Sequence, residues 1–206
     1  MVRLTNEFRS AEGRQNVTGE ARLTATARDF AAYLAQTGKF SHEADGSEPQ
    51  ARARRHGYDW CIVSENIAYQ YSSTGFGEQE LATKLVEGWK NSPGHRRNML
   101  DPNVTQTGVF VAPGRPGHYY AVQMFGRPAS QQIAFSITNR ADARIRYRSG
   151  GETFTLGPRE TRTHQQCRPD ELRVEWPGGQ KPAATTPKDG ARYVIVKSGA
   201  SYVLGN

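Results

Sequence analysis

The sequence predicts a mixed α/β domain over residues 1–128, followed by a small all-β domain over residues 129–206. Three observations point there. Amphipathic helical stripes alternate with strand-like runs, but only in the first part. From Gln132 onward there are only short β-prone runs separated by turn clusters. An aromatic content of 10% with three tryptophans argues for packed cores, although the mean hydropathy of -0.73 is on the polar side. A chain of 206 residues has room for one domain of ordinary size and a small one.

The elements follow in order. Asn6 to Gly13 reads as one or two helical turns ending at a glycine. Thr18 is a candidate N-cap for a helix whose Leu23, Ala27, Phe30, Ala31 and Leu34 recur at helical spacing until Gly38. Ser47 with Pro49 opens a shorter helix through Arg55, closed by Gly57. Trp60 to Val63 is aromatic and β-branched enough for a strand leading into Ser64, Glu65 and Asn66. Glu78 to Asn91 is a strong helix with its stripe at Leu81, Leu85 and Trp89. Ser92-Pro93 reads as N-cap plus first residue of a short helix through Met99, which Asp101-Pro102 ends. Thr107 to Ala112 and His118 to Phe125 form an antiparallel pair across the turn from Pro113 to Gly117. Past Arg127-Pro128, strands are expected at 133–138, 144–148, 153–156, 172–175, 193–196 and 202–204. That pattern is closer to a sandwich or barrel than to a helical domain. The Pro/Thr/Ala-rich stretch 180–188 reads as a flexible loop.

Charge and cysteine usage narrow the function classes. Residues 1–128 carry 15 Lys and Arg against 13 Asp and Glu, whereas residues 129–206 carry 12 against 7. The basic balance belongs mainly to the second part, so by charge the first is a poor nucleic-acid binder. Arg144, Arg146 and Arg148 alternate with Ile145 and Tyr147, which predicts a solvated cationic face over an apolar one. A docking surface for anionic lipid, glycan or envelope polymer is the sharper alternative. Arg52, Arg54 and Arg55 likewise read as the wet side of a short helix. No stacking aromatics are interleaved with these arginines, so nucleic acid is not an expected partner. No apolar run approaches a membrane span, and the N-terminus offers no apolar signal segment. The two cysteines, Cys61 and Cys167, sit in neither a CxxC nor a zinc-knuckle spacing. They are either joined as a disulfide in an oxidising compartment or two inert buried thiols.

Phe40-Ser41-His42, then Ser64-Glu65-Asn66-Ile67-Ala68, then Trp89-Lys90-Asn91-Ser92-Pro93-Gly94-His95-Arg96-Arg97-Asn98-Met99-Leu100 resembles the bacterial branch of the CAP superfamily. That superfamily takes in the cysteine-rich secretory, antigen and pathogenesis-related proteins. The run Leu4 to Arg9 matches its first helix, and Thr107-Gly108-Val109 with Tyr119 to Gly126 its last two strands. The resemblance covers residues 4–126 and implies a three-layer α-β-α sandwich. It also implies a periplasmic or secreted location with a signal peptide removed, and a central cleft able to hold a divalent metal. Carried over position by position, the cleft residues are His42, Glu65 and His95, with Asn66 and Ser92 beside them. The family's second acid falls at Ser92 here, and Glu87 is a poor substitute because helical geometry turns it to solvent.

Two neutral imidazoles and a carboxylate suit Zn²⁺ or another borderline divalent ion, with a fourth position left to water. Such a site could activate water for hydrolysis, and His42, Glu65 and His95 are then the catalytic candidates. The chain lacks HExxH, however, and offers no clear second carboxylate as general base. The expected function is therefore a non-catalytic cleft binding a divalent metal or a small ligand. The alternative is a metal-dependent hydrolase of peptide or envelope polymer. A Ser92–His95–Glu65 nucleophile is weak, because Ser92 serves better as an N-cap and no GxSxG elbow is present. His164 and Cys167 lack two further ligands for a structural zinc, and His56 and His118 read as surface or packing residues. The expected partners are a small ligand, lipid or envelope polymer, with the chain a monomer and not transmembrane.

Overall fold

The computed structural model describes all residues, 1–206, and divides into two compact units, Met1–Ser130 and Gln131–Asn206. The first unit holds helices α1 (Val2–Ala11), α2 (Ala21–Thr37), α3 (Pro49–Arg55), α4 (Glu78–Asn91) and α5 (Pro93–Leu100). Its strands are β1 (Thr18–Gly19), β2 (Trp60–Tyr71), β3 (Gln106–Pro113) and β4 (His118–Pro128), in the sheet order β1-β3-β4-β2. No helix is long and apolar enough to cross a membrane.

Helices cover both faces of this sheet. On one face α2 buries Leu23, Ala27, Phe30, Ala31 and Leu34 against Ile67, Val122 and Met124. Those strand residues alternate with Asn66 and Gln123, whose side chains therefore point the other way. On that second face Gln123 Nε2 donates to Thr5 Oγ1 of α1 at 2.9 Å, and Asn66 meets α5. The result is the expected three-layer α-β-α arrangement.

Several boundaries move for physical reasons. The α2 cap is Glu20, whose side chain accepts from the Arg22 N–H; Thr18 instead pairs with Gln106 in the parallel β1–β3 contact. Gly38 ends α2 in the left-handed region at φ 69°, where a side chain would be strained. Helix α1 begins at Val2, ahead of the expected Asn6, and buries Thr5, Phe8 and Arg9. The Arg9 guanidinium donates to the Met99 and Asp101 carbonyls at 2.5 and 3.1 Å, satisfying the C-terminal end of α5. Strand β2 runs on to Tyr71, well past Val63, because its whole length pairs with β4.

The second unit is a sandwich of two four-stranded sheets, ordered β10-β9-β6-β7 and β12-β11-β5-β8. These strands are β5 (Ile133–Asn139), β6 (Ile145–Ser149), β7 (Glu152–Leu156), β8 (Thr161–Gln166), β9 (Leu172–Glu175), β10 (Ala183–Thr185), β11 (Arg192–Ser198) and β12 (Ser201–Gly205). Phe135, Ile137, Ile145, Tyr147, Leu172, Val174, Tyr193 and Ile195 form its core. Ile145 and Tyr147 point inward while Arg146 and Arg148 stay exposed, and Arg146 faces Glu175 across the strand pair at 3.7 Å. The arginine stripe is thus the solvated face. Strands β8 and β10 were not expected. Both are edge strands, and residues 180–188 therefore are not all loop.

Candidate functional site

Strand β2 lies at the edge of its sheet, so its outer carbonyls need partners from elsewhere. Side chains from α4 and α5 supply them. Trp89 Nε1 donates to Ile67 O at 3.1 Å, and Asn98 Nδ2 to Glu65 O at 3.1 Å. Asn98 Nδ2 also donates to Asn66 Oδ1 at 2.9 Å, while Asn66 Nδ2 donates to the His95 carbonyl at 3.2 Å. Asn66 and Asn98 therefore tie α5, and with it the His95 backbone, to β2.

From the other side comes the turn 42–45. His42 Nδ1 lies 2.8 Å from Glu65 Oε1. The Glu65 side chain is 1% exposed and that of His42 48%, so a buried carboxylate steers a half-open imidazole. A carboxylate oxygen accepts, so Nδ1 is the donor in this pair and Nε2 lies outside it. The second oxygen is also engaged: Arg52 Nη2 donates to Glu65 Oε2 at 2.8 Å. Arg52 further donates to Asp45 Oδ1 at 2.8 Å, to the His42 carbonyl at 2.9 Å and to Ser47 O at 2.5 Å. Its Cζ sits 3.5 Å from the centroid of the Phe30 ring.

Arg52 is a correction to the sequence reading. It is not on the wet side of α3 but 4% exposed at the side chain, whereas Arg54 and Arg55 are exposed. Two buried or half-buried carboxylates draw it inward, because either would be costly without a cation. The acidic stretch 43–48 was the available signal, since those charges require a counter-ion close by.

Burial holds the His95 imidazole below its ordinary range, and the nearby His42 acts in the same direction. The ring is therefore neutral near pH 7. His42 thus meets Glu65 from a turn, and the His95 imidazole on α5 is near enough to His42 to feel it. No group of three or more His, Cys, Asp or Glu side chains is arranged to hold a metal ion. Ser92 stands at the N-cap of α5, where its carbonyl accepts from Arg96 N at 2.8 Å, but its hydroxyl makes no capping bond. The expected hydroxyl cap is thus absent. Glu87 is exposed and pairs with Lys90 at 2.7 Å.

The remaining histidines all have local partners. His164 bonds through Nε2 to Tyr147 Oη at 2.8 Å inside the sandwich. His56 lies 3.4 Å from Asp29, and His118 Nδ1 meets Tyr69 Oη at 2.7 Å. Cys61 and Cys167 are both disulfide-bonded, no cysteine is free, and the chain has two in all. That also removes Cys167 as a zinc ligand.

Comparison with known proteins agrees with this architecture. The uncharacterized protein YkwD of Bacillus subtilis (strain 168) is 29% identical over 128 residues, 62% of this chain and 46% of its own length. The chain thus spans about half of that curated relative. Among solved structures, an outer surface protein of Borrelia burgdorferi superposes with a TM-score of 0.54 at 18% identity. That match covers 62% of this chain and 89% of the other. An extracellular SCP-domain protein of Bacillus anthracis str. Ames is 24% identical at a TM-score of 0.49, covering 60% of this chain and 37% of that one. The model of the cysteine-rich secretory protein family, CAP, matches residues 2–125, and the chain belongs to that family.

Proposed function

We propose that this chain is an extracytoplasmic binding protein whose cleft takes its ligand between the imidazoles of His42 and His95, without turnover. The double engagement of Glu65 carries this reading. One oxygen orients His42 and the other is neutralised by Arg52, so no carboxylate in the cleft is free to act as general base. Glu65 is then an orienting group, which holds the His42 ring through Nδ1 and leaves Nε2 for a ligand. What remains for a ligand is the ring nitrogens of His42 and His95. They suit a borderline divalent cation such as Zn²⁺, with water in the other positions, or a small hydrogen-bonding molecule. The bonded state of both cysteines supports a secreted or periplasmic location, since disulfides persist in oxidising compartments.

Titration calorimetry with Zn²⁺ alone tests the cleft. One site is expected, abolished by His42→Ala or His95→Ala. Glu65→Gln should weaken it by roughly 10–100-fold, the usual cost of losing a partner that orients a metal-binding histidine. Zn²⁺ binding that is indifferent to both histidine changes, or absent altogether, would overturn the reading. So would hydrolysis of a peptide or polysaccharide that disappears in the His42→Ala/His95→Ala protein, which the hydrolase alternative requires.

A further inference from the structure

Beyond the cleft, the same face of β2 carries a second feature. Side chains two apart along a strand share a face, so Glu65, Ile67, Tyr69 and Tyr71 line up. Register places Tyr69 opposite Tyr120, and Tyr71 opposite His118 on β4. Helix α2 covers this face as far as Gly38, and beyond that point the rings are open. Phe40 lies across them, 6.4 Å from Tyr69 and 6.5 Å from Tyr120 between centroids. Tyr69–Tyr120, Tyr69–His118 and Tyr71–His118 follow at 5.3, 5.6 and 4.9 Å. Phe40, Tyr69 and Tyr71 are the exposed aromatic side chains of this unit, at 49%, 39% and 55%. A cavity of ≈ 370 Å³ opens over Phe40, Tyr69, Tyr120, His118 and Arg115, within the roughly 300–1,000 Å³ usual for small-ligand sites.

Arg115 is what gives this shelf a chemical preference. It sits in the β3–β4 turn between Gly114 and Gly117, and its guanidinium reaches back over Gly38. That turn is tightly held: Ser72 N donates to Gly117 O at 2.9 Å, and a Cβ on Gly117 would come within 2.3 Å of Ser72 O. Arg115 is exposed and its side chain engages neither an acid nor a carbonyl, so a cation carried on a held turn borders the cavity with its donors unspent.

We propose that this shelf binds a glycan bearing carboxylate groups, its sugar rings lying on Phe40, Tyr69 and Tyr71 and a carboxylate meeting Arg115. A pyranose presents an apolar C–H face and a polar equator. The shelf offers the complement, ring faces bordered by a guanidinium, a histidine nitrogen and tyrosine hydroxyls. A fatty acyl chain suits it poorly, because the lining is too polar and too open. A proline-rich helix repeats every three residues, about 9 Å, and docks into troughs between separated rings. Here successive rings stand closer than that, tilted by 51–63° to one another, and form one contiguous cluster without separate troughs.

Affinity measurements on the full chain decide the matter, with hexameric oligogalacturonate, its neutral methyl ester and a decaproline peptide as probes. The acid is expected to bind at least about tenfold more tightly than the ester, and decaproline not at all. Phe40→Ala and Tyr71→Ala should each weaken both sugars by about tenfold or more. Arg115→Gln should erase the preference for the acid while the ester binds as before. All three positions are exposed, and thermal unfolding checks that each variant remains folded. His42→Ala/His95→Ala should bind the acid normally, which separates this shelf from the cleft. No binding of either sugar, equal binding of acid and ester, affinity that survives all three changes, or a preference for decaproline would overturn the proposal.

Discussion

Arg52 joins four oxygens from two places in the chain, the stretch 42–47 and residue 65: the carboxylates of Asp45 and Glu65 and the carbonyls of His42 and Ser47. Removing it strands Glu65 in the interior without its counter-ion. Arg52→Ala is therefore expected to destabilise the first unit by about 3–5 kcal/mol, the range for breaking a buried pair from one side. Urea unfolding followed through Trp60 and Trp89 fluorescence would measure it. Glu65→Gln should cost less, since Arg52 keeps Asp45; equal costs would contradict the network. Sequence reasoning singled out His42, Glu65 and His95 through their family pattern and read Arg52, which bonds Glu65 and the His42 carbonyl, as a surface residue. The reason is physical. A cation goes inside only when acids and a ring from distant positions meet it there, and helical spacing in α3 carries no trace of Phe30 or Glu65.

Among the elements, β3 lies so close against α2 that Gly108 has no space for a side chain. A Cβ there would stand 2.1 Å from Thr24 N and 2.2 Å from the Leu23 carbonyl carbon, both backbone atoms. Gly108→Ala is expected to cost about 3 kcal/mol or more, the upper end for overpacking, because neither neighbour is a flexible side-chain tip. A measured cost below about 1 kcal/mol would show that the helix yields. In the sandwich, burial holds His164 below its ordinary value of 6.5, with Arg162 acting in the same direction and Glu152 opposing. The unfolded chain therefore takes up the proton first as pH falls. Stability of this unit should be full above about pH 6.5 and decline below it, and His164→Gln should flatten that slope. Thermal melts between pH 7.5 and 5 provide the check. Elements with a dense apolar stripe, such as α4, were legible to the residue. Strand β8, Thr161–Gln166, was not: its run of Thr, Arg, His and Gln offers no alternation, and only an edge position beside β5 makes it a strand.

At the scale of the whole molecule, each unit has its own buried core, one built on Leu23, Phe30 and Val122, the other on Tyr147, Ile137 and Ile195. The change of texture near Arg127 marked this division, although β4 runs on to Pro128 and the structural break follows Ser130. The oxidised cysteines make a direct prediction: intact mass should rise by two hydrogens on reduction, and thiol labelling of the untreated protein should find nothing. A labelled thiol would sink the disulfide. One further consequence comes from how α5 is hung on the edge strand. The Asn66 amide donates to the His95 carbonyl, the Asn98 amide carried on α5 donates back to Glu65 O and Asn66 Oδ1, and Arg9 closes the far end; none of these bonds uses the His95 ring. The bonds that hang α5 are thus independent of which side chain stands at position 95, so a change of group there leaves that suspension intact.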